Sequence, residues 1–247
     1  MLGCETDTYD REGARIRVAP WRHVTKEAVE SMLDKFRGNI HQTPPMFVHI
    51  FGLNHTPSST IHDSFSALKM DGKPLYEYAR KGIPLPRPIE QRAVTVHSLE
   101  LVEWLGSDHA YRWPDKEFTT EEKLAMGKAL SSVEKSPLID DTPGATTDQP
   151  PVAFGLSMKV SGGTYVRSIV HDLGHALDSA AHVVTLTRSR QGRFTLDPQD
   201  GQDKGCVPWD VFERARKNVG ERDEDGYFEW EREVLDRLEV VESNKQV

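Results

Sequence analysis

Two cysteines, 8% aromatic residues and a deficit of positive charge mark what this 247-residue chain has little of. Cys4 and Cys206 stand far apart and outside any metal-type spacing. That pattern excludes a disulfide framework and a zinc module, and reads as two free thiols of an intracellular protein. No apolar run approaches the roughly 20 residues that span a bilayer, so no membrane partner is expected. The opening MLGCETDTYD has neither a basic n-region nor an apolar h-region, so no signal peptide is visible in it. Lys and Arg number 31 against 39 Asp and Glu, a net charge of −8 that argues at face value against a nucleic-acid partner.

The distribution of charge weakens that argument. Arg167, Arg188, Arg190 and Arg193 fall between Tyr165 and Arg193 with few acidic neighbours, Asp172 and Asp178 among them. The acidic excess sits at the two ends and from Asp108 to Asp148. Screening confines charge effects to about 10 Å, so a local basic face on an acidic protein still binds phosphates.

Periodicity and punctuation give a coarse map. Thr6 to Gly13 reads as a turn between extended segments, and Arg15 to Val18 alternates like a strand. Thr25 caps a helix whose Ala28, Val29, Met32, Leu33 and Phe36 recur at helical spacing, and Gly38 ends it. Gln42 to Pro45 is a rigid extended piece. Asp71-Gly72 makes a turn, followed by a short helix with Tyr76, Tyr78 and Arg80. Pro84, Pro86 and Pro88 form an extended linker, and Ala93 to Glu103 alternates as a strand. Residues 106–151 read as an acidic surface excursion with one helix near Glu121 to Leu130. Val152 to Val160 is a strand, Ser161-Gly162-Gly163 a tight turn, and Thr164 to Ala176 a helix with Ile169, Leu173 and Ala176 on one face. Ala181 to Arg188 is β-branched and reads as a further strand. A turn-rich stretch, a short helix over Trp209 to Lys217 and a charged tail complete the chain, with no internal repeat. His171, His175 and His182 invite a metal reading, since i and i+4 histidines share a helix face. It is set aside for want of a third type of ligand, and no metal is expected.

Three blocks, in order, resemble the TruB/Pus4 family of tRNA pseudouridine-55 synthases. The first is Leu2-Gly3-x-x-Thr6-Asp7-Thr8-x-Asp10-x-x-Gly13. The second joins Gln42-x-Pro44-Pro45 to Ser66-Ala67-Leu68-Lys69-x-x-Gly72-x-x-Leu75-Tyr76-Glu77-Tyr78-Ala79-Arg80-x-Gly82. The third is Ser161-Gly162-Gly163-Thr164-Tyr165-Val166-Arg167-Ser168, then Asp172-Leu173-Gly174, Ala181-His182-Val183 and Leu186-x-Arg188. The resemblance implies an α+β fold, pseudouridine-synthase-like: a mixed, mainly antiparallel sheet with flanking helices, incomplete at its N-terminal side. It implies an isomerase that flips a uridine out of the tRNA T-loop and rejoins the base through carbon. The partner is then the T-arm of tRNA, with mRNA as a further substrate, and the chain a monomer working without a cofactor in the nucleus or mitochondrion.

By the same resemblance, Tyr165 contacts the flipped uracil and Arg167 orients the nucleophilic aspartate. Gly162 and Gly163 let the backbone approach RNA, Leu186 lines the pocket and Arg188 holds phosphate. Lys69 and the helix of Tyr76 and Arg80 meet the T-arm. The family's nucleophile lies in a Gly-x-Leu-Asp-x-x-Ala-x-Gly motif ahead of the Leu-Gly-x-x-Thr block, and no such motif occurs here. Asp7 and Asp10 fall in the next block, where a turn role is expected. The chain as it stands is therefore expected to be inactive, leaving Arg167 without the carboxylate it should orient. It is either a partial gene model of an active enzyme or a non-catalytic tRNA-binding remnant. Residues 46–64 interrupt the second block and read as a retained intron or as a surface loop rich in Pro, Ser and His. The domains expected are 1–195, a partial catalytic domain, and 196–247, a charged helical extension.

Overall fold

Fifteen residues from Arg92 to Gly106 form β6, the central strand of a three-stranded antiparallel sheet in the order β3-β6-β7. Its neighbours are β3, Gly38–Gln42, in register Ile40 with Val94, and β7, Ala153–Val160, in register Leu101 with Leu156. Along β6 the buried residues are Val94, Val96 and then Leu99. The spacing passes from two to three because the register shifts between Val96 and Ser98; the extra residue of a bulge returns the next apolar side chain to the core face.

In the computed structural model, residues 1–45, 69–131, 149–199, 201–217 and 220–238 are described, Tyr76 by its backbone only. The interruption at 46–64 lies outside the described residues, as does most of the second half of the acidic stretch. Two compact units are present, Met1–Thr185 and Leu186–Val247. The first is mixed α+β with mainly antiparallel pairing.

In the first unit, β1 (Cys4–Thr6) pairs antiparallel with β2 (Arg15–Val18) across the expected turn. Helix α1, Lys26–Leu33, starts where the Thr25 hydroxyl accepts from the Ala28 N–H. A 3₁₀ turn at Asp34–Phe36 ends it before Gly38, whose φ is +80°. Helix α4, Val166–Ala176, lays Ile169 and Leu173 into a core shared with Leu2, Trp21, Val29, Leu33, Val96 and Leu99. A second core joins α2 (Leu75–Lys81) to α3 (Thr120–Leu130) through Leu75, Tyr78, Ala79, Met126, Ala129 and Leu130. The strands β4 (Lys69–Met70) and β5 (Lys73–Pro74) form the hairpin around Asp71-Gly72, both at positive φ, as a two-residue primed turn requires.

Three expectations change. Gly38–Gln42 is a strand, where the sequence suggests only a helix end at Gly38 and an extended piece from Gln42. Ala181 to Arg188 is not a strand; its first residues make only isolated bridges, Ala181 to Leu2 antiparallel and Val183 to Asp10 parallel, which do not continue into one ladder. The acidic stretch is not purely a surface excursion, since Trp113 donates to the Leu2 carbonyl at 3.0 Å and α3 closes the second core.

The second unit holds a small sheet in the order β10-β9-β8, from Lys204–Gly205, Phe194–Thr195 and Arg190–Gln191, and the helices α5 (Trp209–Lys217) and α6 (Glu229–Leu235). No helix among the described residues is long and apolar enough to cross a membrane.

Candidate RNA-binding site

The start of α4 is fixed by a side-chain amide. Gln42, buried at the end of β3, accepts from the Tyr165 N–H at 3.0 Å and donates to the Tyr165 carbonyl at 3.2 Å. This two-point clamp fixes the backbone of the residue that precedes the helix, where no side chain caps the first turn. The Tyr165 ring stays half-buried. The Ser168 hydroxyl, buried one turn along, donates to the Thr43 carbonyl at 3.1 Å. Gly162 and Gly163 precede the clamp, exposed, with open space where a Cβ would stand.

Arg167 has a carboxylate partner. Its Nη1 donates to Asp10 Oδ2 at 2.5 Å and to the Thr8 carbonyl at 3.2 Å, with both side chains 19% exposed. The second Asp10 oxygen accepts from the Thr8 hydroxyl at 2.7 Å and the Glu12 N–H at 3.1 Å. Asp10 thus shapes the turn, as expected, and also holds Arg167, which was expected to lack a carboxylate. Asp7 accepts from the Ala14 N–H at 2.8 Å, and burial pushes its carboxyl above the usual range. Gly13 closes the same turn where a Cβ would meet Thr8 and Asp7 oxygens at 2.3 and 2.4 Å.

One α4 turn further on lies a cluster that sequence reasoning missed. Glu5, fully buried in β1, meets His171 Nε2 at 2.8 Å, His175 Nε2 at 3.0 Å and Arg17 Nε at 3.2 Å. His171 Nδ1 lies 2.9 Å from Asp172. Burial opposes the charge on Glu5, but its two histidine partners hold the carboxyl well below the usual carboxylate range. Burial likewise disfavours the His171 cation, yet Asp172 and Glu5 raise it to about 9. The i, i+4 histidine spacing was visible in the sequence; nothing there marked Glu5 or Arg17 as their partners. The Glu5, His171 and His175 donors lie within 4.8 Å of one another, as metal ligands could. However, both His171 nitrogens face carboxylates and a guanidinium sits on Glu5, which makes this an ion-pair cluster with no lone pair of His171 to spare.

Comparison with known proteins agrees with the motifs. A family profile described as TruB family pseudouridylate synthase (N terminal domain) matches residues 1–51 and 56–120. The tRNA pseudouridine synthase 4 of Schizosaccharomyces pombe is 33% identical over 264 residues, covering 86% of this chain and 58% of that protein. The tRNA pseudouridine synthase 4 of Saccharomyces cerevisiae is 30% identical over 285 residues, covering 100% and 62%. The tRNA pseudouridine synthase B of Aromatoleum aromaticum is 35% identical over 196 residues, covering 79% and 42%. The chain belongs to the TruB family. It spans about three-fifths of the length of the two fungal relatives.

Within this TruB-family chain, Gly162, Gly163, Tyr165 and Arg167 come together at one end of α4. Lys69 and Arg80 are exposed on β4 and α2. The Tyr76 side chain lies outside what is described, whereas Tyr78 is buried and donates to the Met70 carbonyl at 3.0 Å, a packing role. Leu186 and Arg188 belong to the second unit. There Leu186 is exposed, and Arg188 lines a concavity of about 560 Å³ with Gln191, Gly192, Arg193, Phe194 and Cys206. The basic face expected between Tyr165 and Arg193 is not a row of free cations. Arg167 is tied to Asp10, and Arg190 makes two bonds to Asp203, at 2.6 and 2.7 Å.

Proposed function

We propose that this chain grips the T-arm of tRNA and carries the uracil-reading part of a site that converts uridine to pseudouridine at position 55. The observation that carries the reading is the clamped start of α4. Gln42 fixes the backbone of Tyr165, Asp10 fixes Arg167, and two exposed glycines leave the adjoining backbone open to a close-packed ligand. Extracting a stacked base costs a few kcal/mol, and stacking on an aromatic ring with phosphate contacts nearby offsets it. Lys69 on β4 and Arg80 on α2 are exposed cations of the same unit. The names of the relatives, tRNA pseudouridine synthases, support the assignment of tRNA as substrate.

The 247 residues by themselves bind without turning over. Asp10 is already held by Thr8, Glu12 and Arg167, and Asp7 is bound into the turn. Their engagement within the turn supports the reading that neither serves as the nucleophile. The test is tritium release from tRNA labelled at C5 of uridine, run beside equilibrium binding of a T-arm stem-loop. Binding without tritium release is the expected result. Release by this chain overturns the claim of inactivity, and failure to bind the stem-loop in preference to an unrelated hairpin overturns the assignment as a whole. The engagement of Arg167 by Asp10 also favours a second reading, in which the chain is a tRNA-binding protein that has kept the grip and lost the chemistry.

A further inference from the structure

Helix α4 aligns Arg167, His171 and His175 at intervals of four residues, along the face opposite its apolar one. Arg167 reaches Asp10 and Thr8 in the turn between β1 and β2. His171 reaches the same turn in a different way. Its ring stacks on Tyr9, with centroids 3.9 Å apart and planes 19° from parallel. Tyr9 has φ +61°, in the left-handed region that few non-glycine residues adopt. Inside the turn its N–H reaches the Thr6 carbonyl at 3.2 Å, and beyond the turn its carbonyl accepts from the Val183 N–H at 2.9 Å.

The protonation state of the ring follows from its contacts. A neutral imidazole has one donor and one bare lone pair. Here both nitrogens lie within 3 Å of carboxylate oxygens, Glu5 at 2.8 Å and Asp172 at 2.9 Å, so either neutral tautomer would set a lone pair against an anion. Both nitrogens must donate. The ring is an imidazolium, and a cation against the face of Tyr9 adds a cation–π attraction to the stack.

We propose that His171 is a positioning residue: as an imidazolium clamped between Glu5 and Asp172, its ring seats Tyr9 and so fixes the turn from which Asp10 holds Arg167. The role rests on the reading of Arg167 and Tyr165 as RNA-facing groups. The charged and titratable groups around the ring are Glu5 on β1, Arg17 on β2, Tyr9 in the turn, and Asp172 and His175 on α4. Glu5 and Asp172 favour the ring's charge, and Arg17 shares Glu5 with it. The ring's proton is held to about 9, against 6.5 for an ordinary histidine. The seat is therefore complete in acid and neutral solution and is lost as pH rises through about 9.

The experiment uses the full chain. The ring carbon and proton resonances of His171 are titrated by NMR, and an apparent pKa near 9 is expected; a value near 6.5 overturns the proposal. Amide exchange is then followed at Tyr9, Glu12, Gly13 and Ala14, corrected for its intrinsic pH dependence. These amides should exchange about ten-fold faster at pH 10 than at pH 8, with the β6–β7 ladder unchanged. His171→Phe, which keeps a stacking ring without donors, should show the fast exchange already at pH 7, and His171→Arg should stay slow at both pH values. Unchanged turn exchange in wild type at pH 10, or faster exchange spread evenly over the chain, overturns the proposal. Should His171→Phe not fold, the wild-type titration and exchange decide. Binding of the T-arm stem-loop should weaken about four-fold from pH 7 to 9.5 in wild type and not in His171→Arg. Absence of binding at pH 7 would count against the assigned function, while the exchange data would still judge His171.

Discussion

Asp10 shows how far a single residue can be read from sequence. Its place in Thr-Asp-Thr-x-Asp identified it as a turn former, and it is one, accepting from Thr8 and Glu12. Its second bond, to Arg167, joins residues 157 apart in the chain, a distance over which local chemistry carries no signal. The resemblance left Arg167 without a carboxylate, and that Asp10 would meet it was not legible. The same holds for Glu5, whose histidine and arginine partners come from α4 and β2. These buried groups give the chain a defined pH range. Folding keeps a proton on His171 up to about 9 that the unfolded chain releases near 6.5, so stability falls as pH rises between those values. Burial lowers His182 from 6.5 to about 3. The unfolded chain then binds a proton that the folded one refuses, and stability falls as pH drops from 6.5 to 3. Urea unfolding should therefore give the highest stability between about pH 6 and 7, with losses of about 1 kcal/mol at pH 5 and about 2 kcal/mol at pH 9. Equal stability at pH 7 and 9 would contradict the charge assigned to His171.

At the scale of elements, the pieces with a strong period were legible: α1, α3, α4, β2, β6 and β7 all lie where alternation or helical spacing placed them. β3 was missed because Gly-Asn-Ile-His-Gln offers one large apolar residue and three exposed positions, so its strand character comes from pairing with β6. The Ala181 to Arg188 segment was misread for the opposite reason: its β-branched residues favour a strand, but it makes only isolated bridges of opposite sense, to Leu2 and Asp10. Its first residue instead packs against α4. A Cβ on Gly174 would lie 2.6 Å from the Ala181 nitrogen and 2.7 Å from its Cβ, so backbone rather than a flexible side chain stands in the way. Gly174→Ala is expected to destabilise the chain by about 2–3 kcal/mol despite the better helix propensity of alanine. Denaturant unfolding measures this, and a loss below about 0.5 kcal/mol would show that α4 can shift off the segment freely.

At the scale of the whole molecule, composition and motif order pointed in different directions, and the family assignment follows the motifs. A net charge of −8 spoke against RNA, and the arginines that seemed to answer it are in part neutralised by Asp10 and Asp203. On the proposed function the site has few cations and relies on geometry set by Gln42, Asp10 and the Glu5 cluster. Its residues come from β1, the following turn, β3 and α4, brought together by the first core, and that convergence could be inferred only from the order of the three blocks. The central claim is that RNA is received at the start of α4. Amide hydrogen exchange of the full chain, with and without a T-arm stem-loop, tests it most directly. The account expects exchange to slow at residues 161–168 and at the Asp10 turn when the stem-loop binds. Binding that leaves those amides unchanged while protecting others would contradict it.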